Sequence, residues 1–302
     1  MKKLIFNTFS IKLLTAISGF LTAIVVSRYL GTSGKGEQSL ILATISIVLI
    51  FSNIIGGATL VYFSIRIPKF HLILLSYLWS LFISFVSFFF LKKLNIVDNI
   101  YVSHIVILSF INSLSSINSN ILLGREKVLF ANIINALPSL IAVLSLIAFF
   151  EFTSLRSVNV YISSLYISFI LNFIFSFIIL MLLIKDEKTF INKSVLNSFK
   201  QMFKLGGFNQ LSHITGLLNA RLSFYLLEKY HGSSALGIYS NGVSISEAIW
   251  LVSGSMAVVQ YAKIANSNDI DYSKNLSINL LKFSVFISFL IIIPLLALPS
   301  EF

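Results

Sequence analysis

The fold class this sequence predicts is all-α, a polytopic membrane helix bundle of about nine transmembrane helices, and three observations predict it. Apolar residues make up 57% of the 302-residue chain and charged residues only 11%, where a soluble domain carries roughly a quarter charged. The mean hydropathy is +0.92. The lysines and arginines behind the net charge of +11 sit in short clusters between long apolar runs, the distribution of basic loops around membrane helices and not of a nucleic-acid-binding face. With 29 phenylalanines, helices of this makeup cannot hide all their surface in a water-soluble core, so lipid is the solvent for most of them.

A spanning helix needs about 20 apolar residues, and nine segments qualify: 9–29, 38–63, 70–91, 101–123, 129–150, 158–184, 205–227, 238–260 and 279–302. The first follows Met1-Lys2-Lys3 but lacks a small-residue cleavage site, so it reads as a retained span and not as a signal peptide. The second carries the pair Gly56-Gly57, which suits close packing. The fifth and ninth contain Pro138 and Pro294, where a kink or hinge is expected. The link 185–204 is the longest and most charged, with Lys185, Asp186, Glu187, Lys188, Lys193, Lys200 and Lys204. It divides an N-terminal six-helix lobe (1–184) from the start of a second lobe (205–302). The chain stops inside its ninth apolar run, at Pro299-Ser300-Glu301-Phe302, and a C-terminally truncated second lobe is the expectation.

Orientation follows from the Lys/Arg balance of alternate loops. One side holds Lys2, Lys3, Arg66, Lys69, Arg125, Lys127, the five lysines of 185–204, Lys263, Lys274 and Lys282; the other holds Arg28, Lys35, Lys92, Lys93, Arg156 and Lys229. The N-terminus is therefore expected in the cytoplasm.

The chain also repeats itself. Residues 29–39 read YLGTSGKGEQS and residues 230–240 read YHGSSALGIYS. At a constant offset of 201, Tyr29, Gly31, Ser33, Gly36 and Ser39 meet Tyr230, Gly232, Ser234, Gly237 and Ser240, and Arg28 meets the like-charged Lys229. Each copy is expected as a tight turn between the first two spans of its half, with glycine supplying the backbone freedom. An even number of spans separates the copies, which makes the repeats parallel, a known transporter design.

On these residues a family resemblance enters. The stretch FLTAIVVSRYLGTSGKGEQSLILATISIVLIFSNIIGGATLVYF resembles the start of the polysaccharide and O-antigen flippases, of the superfamily that also contains multidrug/cation antiporters and a peptidoglycan-precursor flippase. Similar proteins begin with a basic N-terminus and a span ending in R-x-L-G-x-x-G-x-G, here Arg28 to Gly36, followed by a span with a glycine pair. The resemblance implies two six-helix lobes facing a central cavity, of which this chain supplies the first lobe and half of the second. It implies translocation of an undecaprenyl-pyrophosphate-linked oligosaccharide across the bacterial inner membrane by alternating access. The expected partners are that substrate, membrane lipid, a coupling ion and polysaccharide-assembly proteins, with no nucleic acid and no cofactor.

Ionisable groups inside spans are costly and usually face the bundle interior. Arg221 lies about nine residues, or roughly 13 Å, from the outer end of its span. Glu247 lies at a similar depth in the next span, so a buried ion pair is expected, and Arg221 is the candidate contact for an anionic substrate because guanidinium binds phosphate bidentately. Lys12, near the cytoplasmic end of the first span, either snorkels to the interface or lines the cavity mouth. Its repeat equivalent is His213. Arg28, Arg66 and Arg125 read as interfacial anchors. Asn53, Asn112, Asn118, Asn120, Asn132, Asn135, Asn172, Asn209 and Asn219 read mostly as interhelical hydrogen-bonding groups.

No enzyme signature is present. The chain has no cysteine, its histidines have no metal-ligand spacing, and no phosphate-binding loop or G-x-S-x-G occurs. A polysaccharide polymerase would show a long catalytic outer loop. A multidrug exporter coupled to cations would show carboxylates in the spans of the first lobe. Both rank below the flippase reading, as does a membrane scaffold without transport activity.

Overall fold

The computed structural model describes residues 2–153, 155–183, 195–264 and 269–296. Every regular element among them is an α-helix: α1 (Lys2–Gly56), α2 (Ala58–Phe63), α3 (Lys69–Leu94), α4 (Asn99–Gly124), α5 (Val128–Phe152), α6 (Val158–Leu183), α7 (Val195–Ile264) and α8 (Ile270–Leu296). Five stretches among the described residues are long and apolar enough to cross a membrane: Ser10–Phe63, Lys69–Leu94, Asn99–Gly124, Val128–Phe152 and Val158–Leu183. The fold is a helical membrane bundle.

The helix α1 is too long for one crossing. Its 55 residues would extend roughly 80 Å, against a hydrocarbon core of about 30 Å. It breaks at Gly31, whose φ of 68° and ψ of −170° lie where glycine is essentially the only tolerated residue. Two hydrogen-bond pairs show that the chain reverses there. The second arm (32–56) runs parallel to α4, with Tyr101 donating to Glu37 (2.7 Å) at one end and Asn120 to the Gly56 carbonyl (3.0 Å) at the other. The first arm (2–30) runs parallel to α5, with Asn132 donating to Thr8 (2.9 Å) and Tyr29 to Glu151 (2.7 Å). The helices α4 and α5 form a hairpin across residues 125–127, where Ser119 donates to the Ala131 carbonyl (3.2 Å). The two arms of α1 are therefore antiparallel as well.

The 70-residue α7 repeats this at Gly232, with φ 78° and ψ 176°. The Arg221–Glu247 ion pair (2.8 Å) and the Phe224–Tyr239 ring contact (5.9 Å) tie its two arms together. The two break-point glycines are repeat equivalents in the same rare conformation.

The breaks are tighter than the sequence pattern predicts. Residues 32–39 and 233–240 are helical, so each expected turn shrinks to a single glycine. The second expected span, 38–63, is interrupted at Gly57, between α1 and α2. Residues 195–204 of the charged link are the first turns of α7; Lys185, Asp186, Glu187, Lys188 and Lys193 lie outside the described residues, as do Pro299, Ser300, Glu301 and Phe302. The last segment, expected from 279, starts at Ile270. Both α5 and α8 continue through Pro138 and Pro294.

Packing follows the membrane rule that small side chains let helices approach. Ser76, Ser80 and Ser84 on α3, Ser109 and Ser113 on α4, and Ser164, Ser168 and Ser176 on α6 are all buried at helical spacings. Ser80 and Ser113 share a hydrogen bond. Asn118 joins three helices: it accepts from Tyr77 of α3 (2.8 Å) and donates to Ser176 of α6 (3.0 Å). Large apolar side chains face outward instead, among them Phe82, Phe85, Phe89 and Phe90 along α3. An outside this apolar is stable only against lipid.

The two hairpins pack against each other at their tips. A Cβ at Gly36 would overlap the Ser233 carbonyl oxygen, and a Cβ at Gly237 would overlap the Thr32 carbonyl oxygen. Thr32 and Ser233 are repeat equivalents, as are Gly36 and Gly237, so the contact is reciprocal. A contact made twice in this way is the mark of a two-fold axis, here a pseudo-axis relating the α1 hairpin to the α7 hairpin. The Thr32 and Ser234 hydroxyls hydrogen-bond across it (2.7 Å).

Candidate functional site

Just below the tips, the four arms leave a cavity of about 270 Å³ between them. The first arms contribute Gly19 and Ala23 from α1 and Arg221 and Phe224 from α7. The second arms contribute Lys35, Gln38, Ser39, Leu42, Ala43 and Ser46 from α1, and Ser240, Ser244 and Glu247 from α7. The space exists because so many of these side chains are small.

Four pairs in this lining are repeat equivalents: Ala23 with Phe224, Ser39 with Ser240, Ala43 with Ser244, and Ser46 with Glu247. The cavity therefore lies on the pseudo-two-fold axis. The chemistry breaks the symmetry that the backbone keeps. Lys35 stands where the second copy has Leu236, Gln38 where it has Tyr239, and Arg221 where the first copy has Phe20.

Lys35 is 3% exposed, and its Nζ donates to Gln38 Oε1 at 2.8 Å. The Gln38 amide in turn reaches the Tyr161 hydroxyl at 3.4 Å, close to the limit for such a bond. An ammonium buried against a neutral amide is costly, at least about 2.5 kcal/mol in a membrane interior. Arg221 and Glu247 are within electrostatic reach of it. Glu247, however, is already engaged: its Oε1 accepts from Arg221 Nη2 at 2.8 Å, with the side chains 26% and 44% exposed. The Arg221 guanidinium also sits 5.0 Å from the Phe224 ring centroid. Two cations thus share one carboxylate, and the cavity keeps a surplus positive charge. Of the four serine hydroxyls in its walls, those of Ser46, Ser240 and Ser244 donate to carbonyls of their own helices.

The structure sorts the residues that the sequence singles out. Arg221 and Glu247 meet in the cavity. Lys12 does not: it is exposed on the first arm of α1 and lines none of this space. His213 is exposed in a separate cavity of about 350 Å³ at the opposite end of the arms, with Asn53 and Gln210. Lys12 and His213 therefore do not share this cavity with Arg221. Repeat equivalence brings residues together only near the axis, and these two lie away from it. Among the turn residues, Gly31 and Gly232 reverse the chain, Gly36 and Gly237 seat the tips, Ser234 bonds across them, and Ser33 is exposed. Arg28 lies outside the cavity with its guanidinium 5.8 Å from the Tyr29 ring centroid; its equivalent Lys229 is 5.5 Å from that of Tyr230.

Lys35 is the site residue that the sequence pattern places outside, in a turn, and Gln38 falls at the very start of the expected second span. One signal points inward: the repeat equivalent of Lys35 is the apolar Leu236, which is fully buried. Comparison with known proteins returns no match: no family model, no curated protein and no solved structure matches this chain. The cavity has to be understood from its own chemistry.

Proposed function

We propose that this chain belongs to a two-lobed flippase. It would carry an undecaprenyl-pyrophosphate-linked oligosaccharide from the cytoplasmic to the outer leaflet of the bacterial inner membrane by alternating access. The observation that carries the reading is the buried Lys35 beside the Arg221–Glu247 pair on the pseudo-two-fold axis. A surplus cation at the interface of two related halves is where a transported anion is best held.

On this reading each arm of α1 and α7 is one span. The arms of α1 with α3, α4, α5 and α6 make a six-helix first lobe; the arms of α7 with α8 open the second, giving nine spans. The hairpin tips face outward and the N-terminus lies in the cytoplasm. The cavity, at about 270 Å³, is below the usual range of small-molecule pockets, about 300–1,000 Å³. It would hold a diphosphate or a sugar, but not an oligosaccharide. Loading therefore requires the hairpins to separate, and the closed tips correspond to the state sealed on the outer side. A multidrug exporter using cation exchange fits less well, because the cavity carboxylate Glu247 is neutralised by Arg221.

The test is reconstitution of the full chain in liposomes with a lipid-linked oligosaccharide bearing a fluorescent sugar, read by accessibility to an external quencher. Arg221→Ala and Lys35→Met should each abolish flipping while inserting normally. Wild-type flipping by both variants, or proton-linked export of a cationic dye in place of flipping, would overturn the proposal.

A further inference from the structure

A second groove lies at the other end of the molecule, where α2 ends and α7 begins. Roughly 30 Å of helix, from Lys35 to Gly56, separates it from the axial cavity. It encloses about 490 Å³ and is lined by Tyr62, Arg66, Gln201, Lys204, Leu205 and Phe208, with Phe63 at its base. Phe208 is 72% exposed and Tyr62 50%, so the walls are open, aromatic and apolar.

The charged groups of this groove have one sign. The Arg66 guanidinium carbon lies 3.7 Å from the Tyr62 ring centroid, and Nη1 donates to the Tyr62 carbonyl. This stacking fixes the side chain with N–H donors to spare. Lys204 lines the same groove, and Lys200 lies one turn earlier on the same helical face, exposed. Among the described residues, no carboxylate lines the groove, and none of Arg66, Lys200 and Lys204 is in an ion pair. The surrounding helix ends continue the pattern, with Lys69, Arg125 and Lys127 against the single acid Glu126.

We propose that this groove binds the headgroup of an anionic phospholipid from the leaflet on this side. Arg66 and Lys204 hold the phosphate, and Tyr62, Leu205 and Phe208 take the first acyl segments. Charge complementarity and position carry the assignment. Aromatic rings beside cations at the ends of membrane helices sit at headgroup depth. Basic pockets between such helices select anionic lipid over zwitterionic. Apart from the Tyr62 hydroxyl, Gln201 is the only uncharged polar side chain among the described lining residues, which leaves little to recognise a sugar. The groove takes a bilayer component at a different end of the fold, so its assignment stands apart from the transport reading.

The test uses the purified full chain in phosphatidylcholine nanodiscs containing a minor fraction of phosphatidylglycerol, with bound lipid counted by native mass spectrometry. Wild type should retain phosphatidylglycerol preferentially, and the Arg66→Gln/Lys204→Gln variant should bind it about 30-fold more weakly, with phosphatidylcholine unchanged. Phe208→Ala should weaken retention of both lipids in proportion and so keep the preference for phosphatidylglycerol. Millimolar inorganic phosphate should not displace the lipid. Equal retention of phosphatidylglycerol by wild type and the double variant would overturn the proposal. So would displacement by phosphate alone, which would mark a simple anion site.

Discussion

Gly36 and Gly237 seat the two hairpin tips against each other, and replacing either with alanine is the most direct probe of the pseudo-two-fold contact. An added Cβ at either position overlaps a backbone carbonyl oxygen of the facing hairpin, not the end of a flexible side chain. Backbone at a helix start has little room to give, so the tips must part by roughly 1 Å or more. Overpacking of this kind costs about 1–3 kcal/mol. Taking about 2 kcal/mol, the population with closed tips falls about 30-fold relative to open forms. The chain contains no cysteine, so a reporter can be placed cleanly. The Thr32 and Ser234 hydroxyls are 2.7 Å apart, which puts a Thr32→Cys/Ser234→Cys pair within disulfide range. Oxidant-induced crosslinking in membranes should be fast in that background and about 30-fold slower when Gly36→Ala is added. Reciprocity demands the same slowing from Gly237→Ala. Unchanged crosslinking, or an effect from only one glycine, would refute the two-fold arrangement.

Three other outcomes follow from the geometry. Gly31→Ala and Gly232→Ala meet no steric neighbour, so each should destabilise through backbone strain alone, by about 1–3 kcal/mol, measured as a lower melting temperature in detergent. The fraction that stays folded should still form the Thr32→Cys/Ser234→Cys crosslink at the parent rate, because the tip contact itself is untouched. Asn118→Leu removes the link between α3, α4 and α6 and should cost about 1 kcal/mol, read from unfolding in sodium dodecyl sulfate. Glu247→Gln should change stability by less than about 1 kcal/mol, because its partner and itself are partly solvent-exposed. It should nonetheless tighten binding of inorganic pyrophosphate, measured by calorimetry, because Arg221 is released; weaker binding would mean that Glu247 is needed to aim it.

Much of this architecture is legible in the sequence, for identifiable reasons. Apolar composition fixes lipid as the solvent, and the spacing of basic clusters marks helix ends. The repeat is legible because its glycines are under a conformational constraint that other residues cannot meet: Gly31 and Gly232 share one rare φ/ψ region. The depth of Arg221 and Glu247 is legible because rise per residue is constant along a helix. Lys35 is misread for a related reason. A reversal at one glycine needs no loop, so the helix resumes at residue 32 and carries Lys35 into the bundle instead of leaving it in a turn. Charge alone argues for the outside; only the apolar, buried Leu236 at the equivalent position argues against it. Lys12 and His213 are repeat equivalents that lie outside this cavity, since sequence offset gives correspondence under the axis but not distance from it.

That distinction bears on how the site works. Backbone and small residues obey the pseudo-two-fold axis, and this symmetry makes the tips close reciprocally and leaves a cavity where the halves meet. A charged group repeated by the axis would face its own copy at short range, and like charges would repel. The chain avoids this in the cavity by placing each ionisable group there in one copy only: Lys35 against Leu236, Arg221 against Phe20, Glu247 against Ser46. Symmetry supplies two equivalent hairpins in contact at their tips, and asymmetry gives the space between them a net positive charge. Lys35 belongs to the α1 hairpin, and Arg221 and Glu247 to the α7 hairpin. On the alternating-access reading proposed above, opening would split the two cations between the hairpins, and an anion bridging Lys35 to Arg221 would favour closure. On that reading the closed form of the axial cavity would be tied to occupancy by negative charge.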